Sequence, residues 1–151
     1  MTTPLPQKRF QVAALQQRQF KAPVEVKLPS DSVDTKGAMQ YDTLHFIARF
    51  RSIPADEARQ NLQRVQQLRT EDAPLDELLN ESLAQTKSYV LGIEKHPEHP
   101  FPFVAADGQT DAEITPDVIA ELLNVREIRD AIEDTYNKAR TGDLLVKNSR
   151  K

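Results

Sequence analysis

A chain of 151 residues with net charge −3 and no cysteine is long enough for one domain that buries roughly two-thirds of its unfolded surface, and it excludes disulfide staples, thiolate zinc sites and a cysteine nucleophile. A hydrophobic fraction of 38% and a mean hydropathy of −0.59 predict a modest core with surface left for partners, and a pI of about 5.6 is not the balance of a protein living on phosphate backbones. No apolar run is long enough for a membrane span, and Met1 to Phe10 lacks an apolar core of signal-peptide type, so a soluble product of the cytoplasm is expected.

Pro4 and Pro6 predict a flexible N-terminal end over about 1–9. Phe10, Val12 and Ala14 weakly suggest a strand, interrupted by glutamines. From Pro23 to Pro29, Val24, Val26 and Leu28 share one face, with Glu25 and Lys27 on the other. From Thr43 to Arg51, Leu44, Phe46, Ala48 and Phe50 alternate with His45, Arg49 and Arg51. Period two with one apolar face is the pattern of a half-buried antiparallel strand. Ser30 to Asp42 reads as a long connecting loop.

Helical periods follow. Pro54 suits a first turn, and Asp56 and Glu57 suit its positive end. Ala58, Leu62, Val65 and Leu68 then form an apolar stripe. Asp72 is placed to cap the next helix, with Pro74 in its first turn. Leu75, Leu78, Leu79 and Leu83 make its stripe, and Gly92 marks its end. Val90-Leu91-Gly92-Ile93-Glu94 leads into a loop rich in proline and aromatics, closed by Asp107-Gly108. Thr115 caps a short helix with Pro116 at its first position, and Val118, Ile119, Leu122 and Leu123 face inward. Asn124 breaks it. A last helix spans about Val125 to Arg140 on Ile128, Ala131, Ile132 and Tyr136, and stops at Gly142. The polar end, 143–151, reads as frayed. The sum is one α+β domain over 1–151: a small antiparallel sheet of two to three strands packed with about four helices, helical in its C-terminal part.

Little of this is catalytic. The four glycines, at 37, 92, 108 and 142, are too far apart for a phosphate-binding loop, a dinucleotide fingerprint or a nucleophile elbow. His96 and His99 flank Pro97 and Glu98, but no third and fourth metal ligand is evident, so no metal is assigned. The carboxylates of the helices lie opposite the apolar stripes, as on solvated faces, and no catalytic or cofactor-binding residue is assigned. Thr115 to Arg140 has the outline of a helix-turn-helix. Yet Arg126, Arg129, Lys138 and Arg140 are balanced there by Glu127, Asp130, Glu133 and Asp134, which argues against phosphate and base reading. Phe101 and Phe103, in the proline-stiffened loop, are either partner contacts or core.

The order of elements resembles the tail assembly chaperones of long-tailed bacteriophages over about Phe10 to Arg140. The stretches that carry the likeness are Phe20-Lys21-Ala22-Pro23-Val24-Glu25-Val26-Lys27-Leu28-Pro29, then Phe46-Ile47-Ala48-Arg49-Phe50-Arg51-Ser52-Ile53. Val90-Leu91-Gly92, Asp107-Gly108, Ile114-Thr115-Pro116, Leu122-Leu123 and Val125 to Ile132 follow in order. Ile93 stands where the family often has Trp, and the loop after it is longer and richer in proline. The resemblance implies a non-enzymatic protein without cofactor. Its partner would be the tape measure protein, with the tail tube protein as a second, in the host cytoplasm during assembly and outside the mature particle. It further implies a longer frameshifted form, for which Lys147-Asn148 is a position, and leaves self-association open. Neither nucleic acid nor membrane is an expected partner. Ile93, Phe101 and Phe103 are the expected contact surface. A small helix-turn-helix DNA-binding regulator, or another tail completion or connector protein, is the alternative.

Overall fold

The computed structural model describes residues 7–142. The elements run α1 (Val12–Leu15), β1 (Gln19–Val33), β2 (Met39–Arg51), α2 (Ala55–Thr70), α3 (Leu75–Tyr89), β3 (Val90–Lys95), α4 (Pro116–Leu123) and α5 (Arg126–Thr141). The three strands form one antiparallel sheet in the order β1-β2-β3. The expectations for Pro4, Pro6, the end 143–151 and Lys147-Asn148 concern residues outside the described range.

The two alternating segments are paired strands. Ala22 lies opposite Ala48, and Val24 opposite Phe46. All four are buried, and the interleaved Lys21, Pro23, Glu25 and Lys27 are exposed. As an edge strand, β1 tolerates Pro23 and Pro29, whose missing N–H groups would break an interior ladder. Ile93 of β3 pairs with Ala48 and extends the same apolar face. α5 packs on β1 through Ile128, Ile132, Thr135 and Tyr136, and α4 adds Ile119 and Leu123. The Thr115 hydroxyl accepts the Val118 N–H at 3.3 Å, with Pro116 opening the helix. Gly142, at φ 82°, closes α5 in the left-handed conformation that glycine reaches without strain.

Several expectations are corrected. The third strand is β3, whereas Val12 to Leu15 form a short, exposed helical turn. Val90 to Lys95 follow α3 without a break, so Gly92 lies inside a strand and not at a helix end. The loop expected over Ser30 to Asp42 is mostly ladder, with pairing carried to Val33 and Met39. Its turn is closed by Asp34, whose Oδ1 accepts from the N–H groups of Lys36 and Ala38, both at 2.8 Å. Both faces of that outer ladder are solvated, so apolar alternation was missing as a signal. Asp72 does not cap α3. At φ 51° it is the left-handed residue that ends α2, flanked by Ala73 N–H bonding to the Leu68 carbonyl at 2.9 Å, a Schellman closure. Pro74, placed in the first turn of α3, is its N-cap.

Candidate interaction surface

The α2–α3 hairpin exposes three leucines, Leu62, Leu75 and Leu79. α3 is the element α2 packs on, and no residue of α2 is buried. Its composition explains why. Leu62, Val65 and Leu68 are the only large apolar residues among sixteen, too narrow a stripe to enter a core. The half-buried positions Asn61, Val65 and Leu68 of α2, and Leu78, Glu81 and Gln85 of α3, recur at three and four and mark the seam between the helices. Arg64 pairs with Glu81 across it at 3.3 Å, and Gln85 Nε2 donates to the Asn61 carbonyl at 3.1 Å. These contacts make the helices antiparallel.

Leu62 and Leu79 each follow a seam residue by one position. In two antiparallel right-handed helices that step of about 100° turns both to the same side of the hairpin. Leu75, one turn before Leu79, joins them. The three leucines are 59%, 52% and 69% exposed for Leu62, Leu79 and Leu75. The periodicity assigns all three to apolar stripes, and the structure places them on the surface. The poverty of apolar residues in α2 was the available sign. A second exposed apolar group, Val33, Met39 and Tyr41, sits on the outer part of the β1–β2 ladder.

Arg51 anchors the base of the hairpin. Its guanidinium meets both carboxylate oxygens of Glu57, at the start of α2, with Nη1 at 2.9 Å, and its Nε donates to the Ser88 carbonyl near the end of α3 at 2.6 Å. That bidentate pair holds the Glu57 carboxyl below its ordinary pKa. Arg129 adds a second tie, from α5 to Ser82 Oγ at 2.8 Å.

The expected contact residues lie elsewhere. Ile93 is corrected to a core residue, 7% exposed. Phe101 and Phe103 are half-buried and pack against the core. Their rings meet edge to face at 5.6 Å, and Phe103 lies 5.5 Å from Phe46. The loop carrying them is shaped by Asp107, which accepts from the Gln109 and Thr110 N–H groups at 2.9 Å each. Those bonds, with the Thr110 hydroxyl foremost, lower its carboxyl pKa to about 2.

His45, His96 and His99 gather on the polar side of β2. The rings of His45 and His99 stack at 3.8 Å, and His96 meets His99 edge-on at 4.8 Å. His96 Nδ1 accepts the Glu98 N–H at 3.0 Å. Among the described residues no group of three or more His, Asp or Glu is arranged to hold a metal ion. Nearby on the same sheet face, Glu94 bridges Lys21 at 3.0 Å and Arg49 at 3.1 Å, and those bonds, Lys21 first, lower its pKa. The lowered pKa values of Glu57, Asp107 and Glu94 each have a structural cause, and none belongs to a carboxylate pair in a cleft.

The segment with the outline of a helix-turn-helix forms the consecutive helices α4 and α5. The apolar side of α5 is spent on the sheet, and along its polar side Arg126, Arg129 and Lys138 pair with Asp130, Glu133 and Asp134 one turn away. A recognition helix offers its cations to phosphates instead. No helix among the described residues is long and apolar enough to cross a membrane. No protein family, curated protein or solved structure matches the chain.

Proposed function

We propose that this chain is a non-enzymatic tail assembly chaperone that docks the helical tape measure protein of a long-tailed phage on its α2–α3 hairpin and keeps it soluble until the tail tube forms. The observation that carries the reading is the row Leu62, Leu75 and Leu79, exposed together on a hairpin that is anchored at its base. An isolated amphipathic helix aggregates through its apolar stripe, and a matching stripe on a rigid support covers it. The order of elements that resembles tail assembly chaperones supports the same partner.

Energetics suit a transient coat. Burying a leucine contributes roughly 1.5–3 kcal/mol, and association costs at least about 4 kcal/mol. Three leucines therefore give a weak contact per copy. Many copies spaced along one long helix would cover its stripe, and each can leave as the tube closes. The place of action is the host cytoplasm, with the protein absent from the finished particle. The tail tube protein is the second proposed partner.

The test is co-expression with the tape measure protein of the same genome. The tape measure protein should stay in the soluble fraction with the wild type and precipitate without it. Equal precipitation with and without the protein contradicts the proposal.

A further inference from the structure

We infer that the hairpin selects a partner helix with opposite charges on its two flanks, carboxylates toward α2 and ammonium or guanidinium groups toward α3. The inference rests on the proposed docking function. It comes from where the unspent charges lie. Arg59 precedes Leu62 by three residues and Arg69 follows it by seven, so the three share one side of α2. Asp76 precedes Leu79 by three and shares its side of α3. All three charged residues are exposed, and none forms an ion pair among the described residues.

Their neighbours behave differently. Arg64 and Glu81 neutralise each other within the hairpin, and Glu57 is held by Arg51. Beside the leucines what remains for a partner is positive at Leu62 and negative at Leu79, with the exposed Lys87 two turns further along α3. A helix lying on the leucine row runs between these two rims. An all-acidic helix meets Asp76, and an all-basic helix meets Arg59 and Arg69. Among helices with charged flanks, only one with an acidic and a basic flank avoids like-charge contact on both sides. For a given helix this also fixes the chain direction, because turning it end for end exchanges its flanks.

Three synthetic helices about three heptads long decide the matter. They share one leucine stripe and differ in their flanks: Glu on one and Lys on the other, Glu on both, or Lys on both. Each is titrated by fluorescence anisotropy into the full-length protein. At low salt the mixed helix should bind about three- to tenfold more tightly than either uniform one, the range expected for a few exposed pairs. The preference should fade at about 0.5 M salt. In the double variant Arg59→Glu, Arg69→Glu, with circular dichroism confirming the fold, it should move to the all-Lys helix. Equal binding of all three, abolished by Leu62→Glu, overturns charge selection and leaves the docking function standing. Binding of none overturns both.

Discussion

Tyr89, the last residue of α3, stacks on Tyr136 of α5 with ring centroids 4.0 Å apart and planes 16° from parallel. Phe50 meets both rings, at 6.0 Å and 5.3 Å, so one aromatic cluster ties the hairpin, the sheet and the last helix together. Burial pushes the Tyr89 phenol up to about 12, because a phenolate there would lose its water. Tyr136→Ala opens a cavity where three elements meet. It should cost about 3–5 kcal/mol in denaturant unfolding. An unchanged midpoint would show that the cluster is not the joint it looks to be.

Two leucine-sized residues on helices should behave oppositely. Ile132 is fully buried between α5 and the sheet, and Ile132→Ala should destabilise the fold by about 2–5 kcal/mol. Leu79 is half exposed, and Leu79→Ala should stay within about 0.5 kcal/mol of the wild type. Thermal melts of the two variants side by side check the assignment of α3's outer face to solvent.

Acid should weaken the fold through His99. Its pKa is lowered from 6.5, first by desolvation, then by the charges of His45 and His96, against the opposing pull of Glu98 and Glu25. The unfolded imidazole therefore takes its proton near pH 6.5 while the folded one still refuses it. Stability is fully present above that pH, falls as pH drops below it, and levels off once His99 is protonated in the fold. The melting temperature should fall more from pH 7.5 to pH 5.5 in the wild type than in His99→Asn. Equal falls would remove His99 from the linkage.

What could be read in advance was whatever left a periodic or capping trace. Val24 and Val26 against Phe46 and Ala48 announced the hairpin by alternation, Thr115-Pro116 announced α4, and Ile128, Ile132 and Tyr136 announced the buried side of α5. Val90 to Lys95 was missed because a helix passes straight into a strand there, and Gly92 imitates a helix stop. Asp72 was misread because an N-cap and a left-handed C-terminal residue favour the same side chains. The proposed docking row was hidden for a related reason: the spacing of Leu62, Leu75 and Leu79 is that of a core stripe. Periodicity reports which side of a helix is apolar, and only packing decides whether that side is covered. Phe101 and Phe103 stand out as aromatics in a stiff loop, but Phe103 packs against Phe46 and Phe101 against Phe103.

The most direct test is the affinity of the tape measure protein for the wild type and for the double variant Leu62→Glu, Leu79→Glu, both checked by thermal melt. Docking on the hairpin predicts equal melts and at least about tenfold weaker binding by the variant, the loss expected when central anchors of an interface are removed. Undiminished binding by a folded variant would contradict it, and would move the partner to another face of the protein.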